Sequence, residues 1–178
     1  MRIIAGKYKG RRLKAPTWDG LRPTSDKLRE TLFNILAPRI EGARLLDGYA
    51  GTGAVGIEAL SRGAASVAFV ERDRRAIALI EANLAVCGVG ADYTIEARDL
   101  VAALRQGGDA AYDVVWLDPP YDVADISGVL DAAARVLAPG GLVVLERATR
   151  REPEVPVSLA RVRDVKSGDS TLTFLNHR

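Results

Sequence analysis

The segment 113–121 reads DVVWLDPPY and ends an apolar run with side chains that could do chemistry. Residues 114–117 are apolar, and Asp118, Pro119, Pro120 and Tyr121 follow them directly. A carboxylate and the carbonyl groups of a proline-stiffened turn are fixed hydrogen-bond acceptors, because proline fixes φ and has no N–H. The tyrosine adds a flat ring. Since a simple strand end needs only a turn former, this set indicates a site that holds a flat group with hydrogen-bond donors.

A glycine loop lies earlier in the chain, where LLDGYAGTGAVG joins a predicted strand to a predicted helix. Gly51, Gly53 and Gly56 form the pattern G-x-G-x-x-G, which lets the backbone approach a ligand at a helix N-terminus. Glu71 lies twenty residues after Gly51, at the end of the next predicted strand, where an acid can bind ribose hydroxyls. The loop by itself is compatible with a nicotinamide dinucleotide as well as with other nucleoside cofactors.

Two further acids favour a cationic nucleoside. Asp47 ends the strand before the glycine loop, and Asp99 ends the strand that follows Glu71. A carboxylate at position 47 is poorly placed beside a pyrophosphate but well placed beside the ammonium and sulfonium groups of S-adenosylmethionine. Asp99 could accept a hydrogen bond from the adenine amine. Each acid alone could instead cap a helix, so it is the set of three that favours this cofactor.

Basic residues are concentrated at the N-terminus. Residues 1–40 carry ten lysines and arginines against three acids, a surplus of seven positive charges, although the whole chain has a net charge of +2. Residues 41–178 are therefore net acidic, and the contrast predicts a polyanionic partner for the N-terminal stretch. The candidate residues for binding this polyanion are Arg2, Lys7, Lys9, Arg11, Arg12 and Lys14.

Composition excludes several other classes. The chain of 178 residues is suited to one globular core, and it has no apolar run of membrane-spanning length and no signal-peptide core. Its single cysteine, Cys87, excludes an internal disulfide framework and is expected to pack in the core. The only histidine is His177, so we expect no metal site and no catalysis built on histidine. A cytoplasmic monomer that does not bind membranes is the expectation.

From residue 43 onward, apolar strand-like runs alternate with helix-like segments, which predicts a parallel sheet covered on both faces. The APGG sequence at 138–141 predicts a turn before the fifth strand. Residues 159–177 form two alternating strands around a Ser-Gly-Asp turn, which predicts an antiparallel hairpin at the sheet edge. The predicted fold class is α/β: a doubly wound, mostly parallel seven-stranded sheet with an antiparallel C-terminal hairpin.

Two elements are predicted ahead of this core. Residues 3–14 predict a small N-terminal β-hairpin. The segment TSDKLRETLFNIL has the apolar spacing of a helix, with Thr24 or Ser25 as its N-cap and Pro38 as its end. We therefore predict a basic, polyanion-binding extension at 1–40 and a core at 41–178.

The glycine loop, the terminal hairpin and the DPPY motif together resemble those of Rossmann-like S-adenosylmethionine-dependent methyltransferases. DPPY is similar to the motif of enzymes that methylate planar exocyclic amines. Over nearly the whole chain, the segments RIIAGKYKGRRLK, LRPTSDKLRETLFNIL, EALSRGA, FVERD and LDPPY resemble the bacterial 16S rRNA (guanine-N(2)) methyltransferases, the small-subunit rRNA methyltransferase D type, in the same order and spacing.

The resemblance implies methylation of a guanine 2-amino group in 16S ribosomal RNA, within a small-subunit ribonucleoprotein. It also implies that residues 1–40 are an RNA-binding extension, with the six basic residues named above as the candidate RNA-binding residues, and that residues 41–178 are the S-adenosylmethionine-dependent methyltransferase core. It implies that Asp118 and the Pro119 carbonyl accept from the amine, within a turn completed by Pro120, and that Tyr121 stacks on the base. The residues implied to bind S-adenosylmethionine are Arg22, Thr24, Asp47, Gly48, Tyr49, Gly51, Gly53, Glu71 and Asp99.

Three alternatives stay open at this point. DPPY would also serve an adenine-N(6) methyltransferase acting on DNA or RNA, although no segment of the chain is spare for DNA sequence recognition. The literal G-x-G-x-x-G would suit a dinucleotide oxidoreductase. The basic N-terminus would suit a non-catalytic RNA-binding ribosome-assembly factor.

Overall fold

The computed structural model describes residues 1–21, 24–120 and 123–178. Helices and strands alternate through this part of the chain, as the apolar pattern predicts. In chain order they are α1 (Asp26–Ile40), β1 (Arg44–Gly48), α2 (Ala54–Ser61), β2 (Ser66–Glu71), α3 (Arg74–Cys87), β3 (Tyr93–Ala97), α4 (Leu100–Gln106), β4 (Tyr112–Leu117), α5 (Ile126–Val136), β5 (Leu137–Ala148), β6 (Leu159–Ser167) and β7 (Ser170–His177).

The strands form one sheet in the order β3-β2-β1-β4-β5-β7-β6. The first five are parallel, whereas β7 pairs antiparallel with both β5 and β6. The predicted doubly wound sheet and its antiparallel C-terminal hairpin are confirmed. The order in which strands are added to the sheet reverses between the paired strands β1 and β4: β2 and β3 lie on the β1 side, and β5 lies on the β4 side. Ligands bind at the carboxyl ends of strands beside such a switch point.

The sheet has a hydrophobic core on each face, which explains why its strands are apolar throughout. Val114 and Trp116 of β4 pack in one core with α1, α2 and α3, and Val115 and Leu117 pack in the other with α4 and α5. Successive residues of a strand point to opposite faces, so a strand covered on both faces has no polar alternation. Cys87 is buried in the first of these cores, as predicted.

The N-terminal hairpin is held to the core by buried polar side chains. It closes on itself with one antiparallel bridge, between Arg2 and Arg12. The carboxylate of Glu58 on α2 is fully buried and accepts from the backbone N–H groups of Ile4 (2.8 Å) and Ala5 (3.0 Å). A buried carboxylate is costly without hydrogen-bond donors, so these bonds stabilise the position of the hairpin against α2.

Two local predictions need correction. The N-cap of α1 is Ser25, whose Oγ accepts from a backbone N–H at 3.2 Å, but Pro38 does not end the helix, which continues to Ile40. Pro38 lies in the last turn of the helix, where its missing N–H removes only one backbone hydrogen bond. The burial of Ile40 favours continuation of the helix past Pro38. The predicted turn at 138–141 lies instead within β5, beside a register shift in its pairing with β4. Within the described ranges, no helix is long and apolar enough to span a membrane.

Candidate active site

A cavity of about 890 Å³ opens at the carboxyl ends of the parallel strands. Residues 18–21 and 24–25, ahead of α1, line it together with residues at the ends of β1, β2, β3 and β4. The acids predicted from the sequence all line this cavity: Asp47, Glu71, Asp99 and Asp118. The structure therefore brings together four residues that are up to 71 positions apart in the chain.

The charge of the lining favours a cationic ligand. Among the described residues, eight carboxylate side chains and four lysines or arginines line the cavity. A site with this surplus of acids repels a pyrophosphate and attracts a ligand with ammonium or sulfonium groups. The electrostatics thus agree with a cationic nucleoside better than with a nicotinamide dinucleotide.

Glu71 organises the glycine loop. Its Oε2 accepts from the backbone N–H of Gly51 at 2.9 Å, and its Oε1 accepts from those of Arg72 and Asp73 at 2.8 and 2.9 Å. Gly51 has a φ of +55°, a conformation that glycine adopts without strain. The carboxylate therefore fixes the loop at the end of β2 and still faces the cavity.

Asp47 is the most buried of the four acids, with 1% of its surface exposed. Its Oδ2 accepts from the backbone N–H of Gly56 in the first turn of α2, at 2.8 Å. Burial raises the pKa of Asp47 from 3.8 to about 8, the Gly56 bond opposes this shift, and the negative charge of Glu71 adds to it. A cation in the cavity would favour the ionised form, because an opposite charge lowers the pKa of a carboxyl group.

Asp99 caps a helix and also lines the cavity. It is the N-cap of α4, where its Oδ1 accepts from Ala102 N–H at 3.2 Å, and it is exposed along the cavity wall. A carboxylate has about four acceptor sites, so capping leaves capacity for a ligand. Tyr49 and Thr24 also line the cavity, whereas Arg22 lies outside the described residues.

Gly48 ends β1 and Gly53 caps α2, and neither lines the cavity. A Cβ on Gly48 would meet a Leu117 methyl at 2.8 Å, so this position needs glycine for packing. Gly53 is the N-cap of α2 with a φ of +73°.

Tyr49 takes a φ of +59°, which is uncommon for a residue with a side chain. Burial raises the pKa of its hydroxyl group to about 12.

Residues 118–120 of the DPPY motif line two cavities. Asp118, Pro119 and Pro120 line the large cavity and also a second one of about 330 Å³. Asp118 and Pro119 are half-buried, and Pro120 is exposed. The Pro120 carbonyl accepts from Val123 N–H at 3.1 Å. Tyr121 lies outside the described residues.

The sequence predictions missed several residues that line these cavities. Trp18 lies on the wall of the large cavity and stacks against the Arg75 guanidinium, 5.0 Å from the ring centroid. Glu146 lines both cavities at the carboxyl edge of the sheet. Its sequence signal is the one used for the other acids, a carboxylate directly after an apolar run, here LVVLE. Trp18 carries no comparable signal.

The six candidate RNA-binding residues are all exposed. Arg11 is engaged locally, because its Nη1 donates to the Val86 carbonyl at the end of α3 at 3.0 Å. Lys7 lies over the Tyr8 ring, with Nζ 5.4 Å from the centroid. The hairpin therefore presents a basic surface on a fixed backbone.

An antiparallel β7 inserted between β5 and β6, together with an acid-lined cavity over the glycine loop, is the architecture of the Rossmann-like methyltransferases. A solved structure of the same fold, the methyltransferase candidate yhhF of Escherichia coli, matches this chain with a TM-score of 0.85. The two are 31% identical, and the match covers 100% of this chain and 98% of that one.

The family model described as "Conserved hypothetical protein 95" matches residues 1–176. The chain is 38% identical over 162 residues to ribosomal RNA small subunit methyltransferase D of Escherichia coli, covering 91% of this chain and 79% of the relative. The protein of that name from Haemophilus influenzae is also 38% identical, over 82% of this chain and 78% of its own length. The chain belongs to this methyltransferase family, which confirms the resemblance.

Proposed function

We propose that this protein transfers a methyl group from S-adenosylmethionine to the 2-amino group of a guanine in 16S ribosomal RNA. The observation that carries the proposal is the position of residues 118–120, which line both cavities. A cofactor in the large cavity and a base in the small one would meet at this turn. The relatives named for small-subunit ribosomal RNA support the choice of substrate.

The residues of the large cavity fit S-adenosylmethionine. The cavity volume lies within the range of ligand pockets, roughly 300–1,000 Å³, and the excess of acidic residues in the cavity lining suits a cationic ligand. Glu71 would accept from the ribose hydroxyls, Asp99 from the adenine amine, and Asp47 would lie on the side of the cationic methionine end. When bound, S-adenosylmethionine supplies an electrophilic methyl carbon on its sulfonium.

Asp118 and the Pro119 carbonyl would prepare the nucleophile. The lone pair of an aromatic amine is delocalised into the ring, and hydrogen bonds from both N–H groups to fixed acceptors direct that lone pair out of the ring plane. As the new N–C bond formed, the S–C bond would break with its electron pair staying on sulfur, and the surplus amine proton would leave to Asp118 or to water. Alignment of the two groups by the site would contribute roughly 7–11 kcal/mol, the gain seen in well-oriented pairs.

The RNA would be bound mainly through its phosphates. An extruded base gains about 1–3 kcal/mol by stacking on an aromatic ring, the role we propose for Tyr121, while unstacking costs a few kcal/mol. Affinity must therefore come from elsewhere, and the exposed basic residues of the hairpin are the candidates. We propose that residues 1–40 act as the RNA-binding extension of the 41–178 core, in a cytoplasmic monomer acting on a small-subunit ribonucleoprotein.

The test is methylation of 16S ribosomal RNA and of small-subunit particles in vitro, with mass spectrometry to locate the methyl group. Asp118→Ala is expected to reduce transfer at least 100-fold, an effect of about 3 kcal/mol, while calorimetric affinity for S-adenosylmethionine stays nearly unchanged. The matched control is Asp109→Ala, at an exposed aspartate after α4. Normal turnover by the Asp118 variant, or calorimetric binding of NAD(H) in place of S-adenosylmethionine, would contradict the proposal.

A further inference from the structure

Arg147 is a nearly buried arginine beside the small cavity, and the amine chemistry proposed above does not use it. It lies near the end of β5, and 9% of its side chain is exposed. Arg147 is one of the residues that line the small cavity. A buried guanidinium is costly unless hydrogen-bond acceptors surround it. The acceptors around Arg147 therefore indicate what this side chain does.

Two of those acceptors are backbone carbonyl groups of the chain that follows β5. Nη1 of Arg147 donates to the Thr149 carbonyl at 3.3 Å and to the Arg151 carbonyl at 2.9 Å. Residues 149–158 contain no helix or strand, and the wall segment, residues 151–154, lines the small cavity. Since this segment has no backbone ladder of its own, the bonds from Nη1 help to fix its position.

The other two nitrogens hold the guanidinium to the C-terminal hairpin and to a side chain of the wall segment. Nε donates to Thr173 Oγ1 on β7 at 2.9 Å, and Nη2 donates to Asp164 Oδ2 on β6 at 3.0 Å. Nη2 also forms an ion pair with Glu152 in the wall segment, 3.0 Å from its Oε2. The planar guanidinium thereby joins the wall segment to two strands of the sheet, an arrangement that a lysine ammonium cannot reproduce.

These contacts leave Arg147 little capacity to bind a substrate directly. A guanidinium has five N–H groups, and five acceptor atoms of the protein lie within 3.3 Å of its three nitrogens. An effect of Arg147 on a base in the small cavity is therefore exerted through the wall segment. The described residues that line the large cavity include none from 147–154, so this effect falls on the small cavity alone.

We propose that Arg147 is a positioning residue that holds the wall segment in place to receive the target guanine. The assignment rests on the proposed guanine-N(2) activity, and it attributes the fit of the base to a group whose donors are all directed at the protein. A misplacement of about 1 Å far from the reacting atoms can lower a rate about 100-fold, so a loosened wall is expected to reduce methyl transfer.

The experiment measures steady-state methylation of the ribosomal RNA substrate by Arg147→Lys. Lysine keeps the positive charge, but its single nitrogen cannot reach both carbonyls of the following chain together with the hairpin acceptors. We expect kcat/KM for the RNA to fall about tenfold, whereas KM for S-adenosylmethionine stays within about twofold of the wild-type value.

Arg161→Lys is the matched control. Arg161 on β6 forms ion pairs with the same two acids, Glu152 and Asp164, and 33% of its side chain is exposed. Ion pairs of exposed side chains contribute little, so this substitution is expected to change kcat/KM for the RNA by less than about twofold. The comparison separates the backbone bonds made by Arg147 from the ion pairs that both arginines make.

An RNA with an abasic site at the target position separates base positioning from general RNA binding. Once the methylated nucleotide is located, this RNA acts as a competitive inhibitor that places no base in the small cavity. Its inhibition constant for Arg147→Lys is expected to stay within about twofold of the wild-type value. Thr173→Val is a second, milder variant that removes only the acceptor of Nε, and it is expected to lower kcat/KM for the guanine RNA about threefold.

The outcomes distinguish this assignment from the proposed function. If Arg147→Lys binds S-adenosylmethionine normally by calorimetry and keeps kcat/KM for the RNA within about twofold, the role of Arg147 is wrong and the proposed function stands. Equal losses in Arg147→Lys and Arg161→Lys, or an equal loss of affinity for the abasic RNA, also overturn it. If Arg147→Lys does not fold, Thr173→Val decides the question by the same criteria. If the wild type methylates no guanine in the RNA, both proposals fail.

Discussion

Replacing Asp47 with asparagine tests whether the pKa of this buried carboxyl group is raised in the folded protein. In the folded protein its pKa is raised from 3.8 to about 8, mainly by burial. Between these values the folded state keeps the proton and the unfolded state releases it, so unfolding releases a proton. Stability therefore falls as pH rises from about 4 to about 8.

The size of the effect follows from the shift. Each pKa unit corresponds to about 1.4 kcal/mol, and integration from pH 5 to pH 8 gives a loss of about 3–4 kcal/mol of unfolding free energy, as an order of magnitude. Asparagine does not titrate, and its side-chain oxygen can still accept from Gly56 N–H. The variant is therefore expected to resemble the wild type near pH 5 and to be more stable by several kcal/mol near pH 8.

The assay is urea unfolding followed by tryptophan fluorescence at pH 5, 6, 7 and 8, since Trp116 is buried in the core. Asp109→Asn, at an exposed position, is the control and should follow the wild-type profile. Stability profiles of Asp47→Asn and the wild type that stay parallel within about 1 kcal/mol would refute a raised pKa for Asp47.

Two further predictions concern the hairpin and the glycine loop. The double substitution Lys9→Gln with Arg12→Gln should weaken RNA binding. It should also reduce the slope of log K against log salt by about 1.4–1.8, because each phosphate contact releases about 0.7–0.9 counterions. Filter binding at several salt concentrations measures this slope. Gly56→Ala places a Cβ 2.3 Å from the Phe69 ring, so chemical denaturation should show a loss of about 1–3 kcal/mol or more.

Each of these has a matched control. Arg105→Gln with Arg135→Gln removes two exposed charges from α4 and α5 and should leave the salt slope unchanged. A slope that the hairpin substitutions do not alter would contradict their contact with phosphate. Gly90→Ala adds a methyl group to open space and should change stability by less than about 1 kcal/mol. Equal effects at positions 56 and 90 would argue against the close packing of α2 on β2.

The sequence by itself predicted the layered sheet and most of the cavity. Asp47, Glu71 and Asp118 each follow an apolar run, and the carboxyl ends of parallel strands meet at one edge of a sheet. The alternation of strands and helices, which is a local pattern, was therefore enough to predict that these acids converge. The C-terminal hairpin was predicted for the same reason, since its turn and its period-two strands are local features.

Only the tertiary structure decided what each acid contacts. The burial of Asp47, and with it the raised pKa, depends on helix α2 lying across the end of β1. The pairing of Glu146 with Ser170 depends on β7 entering the sheet beside β5, 24 positions further along the chain. Pro38 likewise stays within its helix because distant residues bury Ile40. Hydrogen-bond partners, burial and strand register are set by contacts between remote segments, and local sequence patterns carry no information about which remote groups will meet.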